Sequence, residues 1–154
     1  MQAQHLDALA RLEAMCFSKP WSRDSLASEL ENPVAVFFVA QADGAAVGYA
    51  GMHHVVDEGY IDNIAVHPLY RRRGAANALL ARLDRYAVKN GLAFLTLEVR
   101  RSNKEAQRLY ARNGFVKAGE RRDFYVAPPE DAVIMTKYYA DTPDGERIGS
   151  QTNE

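Results

Sequence analysis

One cysteine, Cys16, and one tryptophan, Trp21, are the whole supply of either residue in this 154-residue chain. A lone thiol cannot build an internal disulfide framework. Cys16 has no obvious base near it in the sequence and reads as a buried apolar thiol rather than a nucleophile. Long apolar runs are also missing: no stretch approaches the roughly 20 residues that span a bilayer. The N-terminus has no basic region followed by an apolar core, so a reducing cytoplasm is expected rather than secretion. No internal repeat or low-complexity tract is visible. What remains is an ordinary globular composition, with 47% hydrophobic and 25% charged residues. A chain of this length fits one domain, and folding can bury roughly two-thirds of the surface its unfolded form exposes.

The formal net charge is only −1, but it is unevenly placed. Asp141, Asp144, Glu146 and Glu154 against Arg147 give residues 141–154 a net charge of −3 and leave +2 on residues 1–140. Residues 140–154 are polar and are expected to form a disordered tail behind a single folded domain at 1–139. Arginines cluster at 71–73, 100–101 and 121–122. Clusters this short suit a small polyanion better than a long nucleic acid, so direct nucleic-acid binding is not expected. His5, His53, His54 and His67 show no metal-ligand spacing with cysteines or carboxylates, and no metal is expected.

Leu6, Leu9, Leu12 and Phe17 lie near helical spacing and predict an amphipathic helix over 4–15. After Lys19-Pro20-Trp21, Ser22 can cap a second helix to about Glu31, which Asn32-Pro33 ends. Three strands follow at 34–40, 46–55 and 60–66, separated by turn signals at Asp43-Gly44 and Asp57-Gly59. Pro68 stops the third. A helix of alanines and leucines runs from Arg73-Gly74-Ala75 to Asn90-Gly91, where a left-handed cap can end it. Residues 93–99 are β-rich. Ser102 and Glu105 match a capping box for a further helix, which stops at Asn113-Gly114. Strands at 115–118 and 132–138 complete a mixed α/β chain, with Arg121, Arg122 and Tyr125 in the loop between them.

The strongest local signal is a strand, a proline turn, and then Arg71-Arg72-Arg73-Gly74-Ala75-Ala76 running into a helix. A helix start presents backbone N–H groups without intrahelical partners and the positive end of the dipole. Small residues let an anion come close, and arginines add charge, so a pyrophosphate fits. The same stretch equally reads as a solvated basic turn before an ordinary helix.

Ile64-Ala65-Val66-His67-Pro68-Leu69-Tyr70-Arg71-Arg72-Arg73-Gly74-Ala75-Ala76 resembles the acetyl-CoA-binding motif of the GNAT N-acetyltransferase superfamily. Leu97-Glu98-Val99-Arg100, Ser102-Asn103, Leu109-Tyr110 and Gly114-Phe115 resemble the second half of that superfamily's core. The likeness runs from residue 4 to about 138. It implies a mixed, mostly antiparallel sheet flanked by helices and splayed between the strands at 60–66 and 93–99. It also implies acetyl-CoA as cosubstrate, held by Ile64, Ala65, Val66, Arg71, Arg72, Arg73, Gly74, Ala75, Ala76, Asn77 and Asn103. Pro20-Trp21-Ser22, Arg121 through Tyr125, and Glu130-Asp131-Ala132-Val133-Ile134-Met135 are most similar to the ribosomal-protein-alanine N-acetyltransferases of bacteria. Those enzymes modify the N-terminal alanine of the eighteenth small-subunit ribosomal protein. On that likeness Trp21, Arg122 and Tyr125 would line the acceptor side. The chain departs from the pattern in having almost no residues for a strand before the first helix. It also has Ala76, Asn77 and Phe124 where a glycine, a basic residue and a tyrosine are commoner.

Transfer of an acetyl group to an amine needs a neutral amine, a held and polarised thioester, and a proton for the departing thiolate. On the resemblance Glu98 is the candidate base, standing on the strand face opposite Leu95, Leu97 and Val99. By itself it would read as a solvated strand carboxylate. Tyr110 is the candidate acid, and its phenol is a reasonable match for a thiolate. It equally reads as an aromatic packing its helix onto the sheet. An α-amine with pKa near 8 is partly neutral at physiological pH, whereas a lysine amine is neutral about one time in a thousand, so a lone glutamate suits the first better. Acetylation of a lysine or a polyamine is the alternative, and a non-catalytic acyl-CoA-binding module a third. Glu98 and Tyr110 together argue against the last.

Overall fold

The computed structural model describes residues 1–139, and the tail expected at 140–154 lies outside the described residues. Helices α1 (Leu6–Cys16) and α2 (Arg23–Leu30) precede strands β1 (Ala35–Ala42), β2 (Ala45–Val55) and β3 (Glu58–Val66). Then come α3 (Ala75–Lys89), β4 (Phe94–Arg100), α4 (Lys104–Arg112), β5 (Val116–Val126) and β6 (Pro129–Tyr138). The six strands make one sheet in the order β1-β2-β3-β4-β6-β5. Pairing is antiparallel for β1–β2, β4–β6 and β5–β6 and parallel for β3–β4. This is the mixed, mostly antiparallel α/β fold that the sequence predicts. The β3–β4 register spans Glu58↔Phe94, Gly59↔Leu95 and Tyr60↔Thr96.

The chain divides into two compact units. One holds Met1–His54 and Ile61–Asp84, the other Val55–Tyr60 and, among the described residues, 85–139. In the first, Leu6, Leu9 and Leu12 of α1 and Leu26 of α2 pack with Tyr49 of β2 and Ala65 of β3. Each buried leucine contributes about 1.5–3 kcal/mol, and truncating one to alanine costs about 2–5 kcal/mol. Ser22 caps α2 as predicted, its hydroxyl accepting from the Ser25 amide at 3.1 Å. Gly48 of β2 lies so close to β3 that a Cβ there would stand 2.9 Å from the Ala65 carbonyl oxygen. That close approach fixes the strand carrying Ile64-Ala65-Val66, and only glycine permits it.

In the second unit β4 alternates strictly, with Leu95, Leu97 and Val99 buried and Thr96, Glu98 and Arg100 on the other face. Leu92, Phe115, Val133 and Met135 are buried with the first set. Two sequence expectations are corrected here. The last helix is capped by Asn103, whose Oδ1 accepts from the Ala106 amide at 3.1 Å, not by a Ser102 box. Arg121, Arg122 and Tyr125 lie on β5 rather than in a loop, because that strand runs on to Val126. A register shift between Arg121 and Tyr125 bulges the chain out, and Asp123 takes a φ of 53°.

Candidate active site

In the first unit the predicted coenzyme residues form one continuous turn from the end of β3 into α3. Arg72 and Gly74 adopt φ of 63° and 84°, folding the loop tightly ahead of the helix. The first bond of α3 runs from the Ala78 amide to the Gly74 carbonyl at 2.9 Å. The amides of Ala75, Ala76 and Asn77 therefore precede that bond, which is the arrangement that receives an anion. A Cβ at Gly74 would meet nothing within 4 Å, so the approach to this turn is open.

The three arginines are not equivalent. Arg71 turns back on the strand. Its Nε donates to the Val66 carbonyl at 3.1 Å and its Nη2 reaches Cys16 Sγ at 3.4 Å. The Cys16 thiol approaches the same carbonyl at 3.6 Å. Arg71 thus braces the end of β3. Arg73 stacks over the Tyr70 ring at 5.2 Å, and Arg72 is exposed. Residues Ile64, Ala65 and Val66 supply the backbone of the strand end, with Ala65 and Val66 buried.

Trp21 belongs to the same unit and sits 6.4 Å from the Phe37 ring. Its backbone amide donates at 3.0 Å to Oε2 of Glu13, a fully buried glutamate on α1. The other oxygen of Glu13 accepts from the Tyr49 hydroxyl and, at 2.8 Å, from Asn63 Nδ2. Burial pushes the Glu13 carboxyl up, opposed by the bonds from Tyr49, Trp21 and Asn63. This network is absent from the sequence expectations. The available signal is a charge at the i+4 position from Leu9, inside the apolar stripe of α1.

In the second unit Glu98 stands on the polar face of β4 and pairs with Arg121 Nε at 3.3 Å. Arg100, two residues on, lies with its guanidinium 4.2 Å from the Tyr125 ring and pairs with Glu130 at 3.3 Å. The Tyr125 hydroxyl is shifted up by burial, against Arg100 and with Glu98 and Glu130. Tyr110 packs its ring on Phe115 at 6.0 Å. Burial, with Tyr125 nearby, pushes its hydroxyl up to about 12. The ring packing is present, and the hydroxyl is the group that the candidate-acid reading would use. Asn103 spends its side-chain oxygen on the helix cap, which leaves only its Nδ2 for a coenzyme. Arg122 is exposed in the bulge. The structure thus brings Glu98 and Arg121 together, with Arg100 and Tyr125 stacked nearby on the same strands.

The histidines are dispersed. His53 bridges Glu29, at 2.9 Å, and Asp62, while His67 accepts from the Leu69 amide at 3.1 Å. Among the described residues no group of three or more His, Cys, Asp or Glu is placed to hold a metal ion. Nor is any helix among them long and apolar enough to cross a membrane.

The first unit thus carries a glycine-containing turn that opens a helix, and the second a strand carboxylate and a buried tyrosine. The chain belongs to the acetyltransferase (GNAT) family, whose sequence profile matches residues 6–115, and it is an N-acetyltransferase. It is 37% identical over 137 residues to the [ribosomal protein bS18]-alanine N-acetyltransferase of Escherichia coli K12, covering 88% of this chain and 92% of that one. The N-alpha-acetyltransferase RimI of Mycobacterium tuberculosis is 34% identical over 83% of each chain. The crystal structure of the ribosomal-protein-S18-alanine N-acetyltransferase from Escherichia coli matches with a TM-score of 0.84 at 33% identity, covering 96% of both chains.

Proposed function

We propose that this protein transfers the acetyl group of acetyl-CoA to the N-terminal α-amine of a protein, with the alanine of ribosomal protein bS18 as acceptor, in the cytoplasm. The observation that carries the reading is Glu98, a carboxylate on the open face of β4 beside Arg121, in a chain 37% identical to an enzyme of that activity. The coenzyme's phosphates fit the turn at Arg72-Arg73-Gly74-Ala75-Ala76-Asn77, where the approach at Gly74 is open and α3 begins. Acetyl-CoA supplies the thioester. Glu98 takes a proton from the acceptor's amine, directly or through water, as nitrogen bonds the acetyl carbon. The carbon–sulfur bond breaks, and Tyr110 donates to the departing sulfur. Trp21, Arg122 and Tyr125 line the acceptor side.

Acetyl-CoA turnover against a panel of acceptors tests the reading. The panel holds an alanine-initiated bS18 N-terminal peptide, the same peptide already acetylated, a lysine peptide with a blocked N-terminus, and spermidine. Turnover confined to the free α-amine is expected. Preference for the blocked lysine peptide or spermidine, or no turnover of the free peptide, overturns the acceptor assignment.

A further inference from the structure

Glu13 is the one charged side chain among the described residues buried to 0% exposure, and no cation compensates it in the contacts it makes. A buried carboxylate without a cation is costly and is kept only where donors replace water. Here the donors come from three places in the first unit. The Trp21 amide occupies Oε2 at 3.0 Å. The Tyr49 hydroxyl from β2 and Asn63 Nδ2 from β3 occupy Oε1. Asn63 immediately precedes Ile64-Ala65-Val66, the strand end that leads into the coenzyme turn. One rigid group therefore ties the backbone of the Trp21 loop to the strand carrying the coenzyme motif.

The alternatives on α1 for this position are poorer. An apolar residue would leave the Trp21 amide, Asn63 and the Tyr49 hydroxyl without their acceptor. Ser22, the residue after Trp21, caps α2. The Glu13 contact holds the backbone at Trp21 itself.

We propose that Glu13 is a positioning residue for the acceptor: it sets the Trp21 loop against the coenzyme strand, so that acceptor affinity depends on it while acetyl-CoA affinity does not. The inference rests on the assignment of Trp21 to the acceptor side. Glutamine at position 13 keeps the shape but sets a donor against one of the three existing donors. Asn63 can flip and the Tyr49 hydroxyl can rotate to accept, but the Trp21 amide can only donate. The variant must therefore reorganise the Tyr49–Asn63 side or release Trp21.

Glu13→Gln should raise the KM of the acceptor peptide on the order of tenfold, the scale of one lost hydrogen bond to a charged group. The KM of acetyl-CoA should stay within about twofold, below the scale of one hydrogen bond. Tyr49→Phe removes a buried hydroxyl from the same network but leaves the Trp21 contact, and should leave the peptide KM unchanged. Because Trp21 is the single tryptophan, its emission reports the loop directly. In Glu13→Gln the emission maximum should move to longer wavelength, and peptide titration should saturate later. Equal changes in both KM values, or none in either, overturn the proposal. Trp21→Ala is measured alongside. If it raises the peptide KM and Glu13→Gln does not, only the role of Glu13 fails. If it leaves the peptide KM unchanged, the acceptor assignment of Trp21 fails, and the inference with it. A measurement on the unaltered protein needs no variant to fold: the Trp21 amide should resist hydrogen exchange as amides of β2 do, and rapid exchange overturns the proposal.

Discussion

Arg121 Nε on β5 lies 3.3 Å from Glu98 Oε1 on β4, so the candidate base is held in an ion pair with a largely exposed arginine. Two explanations of Glu98 diverge here. If the carboxylate serves only as a partner for Arg121, losing either residue costs the same small amount, about 0.2–1 kcal/mol for an exposed pair. If Glu98 accepts the proton of the acceptor's amine, the two variants differ sharply. Glu98→Gln should lower turnover on the order of 10²–10⁴-fold, the worth of general acid–base catalysis. Arg121→Met should change it by no more than about fivefold, the equivalent of the surface pair. Part of the Glu98→Gln loss should return at high pH, where the amine arrives neutral. Acetyl-CoA affinity, read by calorimetry, should hold in both. Matching losses in the two variants would reduce Glu98 to a structural partner.

Tyr110 makes a different prediction because its hydroxyl is pushed up to about 12 by burial and by Tyr125. An ordinary thiol ionises near 8.5, so full proton transfer from this phenol to a free thiolate is uphill by about 5 kcal/mol. On the proposed reading its contribution is a hydrogen bond that strengthens as negative charge grows on sulfur, and the released thiolate takes its proton from solvent. Tyr110→Phe should lower turnover about a hundredfold, at the low end for acid catalysis, and high pH should not restore it. In the unaltered enzyme no loss of activity between pH 8 and about 11 should belong to Tyr110, given its raised pKa. A basic limb near pH 10 that disappears in Tyr110→Phe would contradict this environment.

The coenzyme turn is tested at Gly74. Its φ of 84° is strained for any residue with a Cβ, although a Cβ there would touch nothing within 4 Å. Gly74→Ala should therefore fold and lose about 1–2 kcal/mol of stability, the cost of the left-handed conformation. Gly74→Glu adds a negative charge where the phosphates are proposed to sit. A like charge at about 5 Å costs about 3 kcal/mol at an effective dielectric of 20, so acetyl-CoA affinity should fall by a further factor on the order of a hundred beyond the alanine variant. Calorimetric titration of both variants gives the comparison. Equal affinities would place the phosphates elsewhere.

Much of this geometry is legible in the sequence where a local rule decides it. Leu95, Leu97 and Val99 alternate with Glu98, and the strand is buried accordingly. Ser22 caps α2, and Gly91 takes the left-handed conformation just past the end of α3. The errors arise where local rules compete or fall silent. Ser102 and Asn103 are both good cap residues, and only the folded chain shows that Asn103 serves. Strand β5 is exposed along almost its whole length, so it has no alternation to read. Its Glu120-Arg121-Arg122-Asp123 run resembles a loop because edge strands are protected by charge. Glu13 is visible as a charge within a leucine stripe. Two of its three partners lie 36 and 50 residues away in the sequence, beyond any local pattern.

That same carboxyl gives a prediction about stability that is independent of catalysis. Burial raises the Glu13 pKa, and the bonds from Tyr49, Trp21 and Asn63 only partly oppose the shift. The folded chain therefore holds this proton to higher pH than the unfolded chain, where a glutamate titrates near 4.3. Its favourable contribution is complete below the unfolded value and is lost as pH rises through the folded one, because the charged form must then be kept out of water. Tyr49 does not share the window, since its own hydroxyl is pushed far above the ordinary range. Glutamine cannot titrate. The melting temperature of Glu13→Gln minus that of the unaltered protein should therefore rise between pH 4.5 and pH 8, whatever its sign at the lower end. Calorimetric melts across that range, with Tyr49→Phe as a control for packing, read the difference directly. A flat difference would mean that Glu13 does not change its charge there. A falling one would mean that the three donors stabilise the carboxylate by more than burial costs.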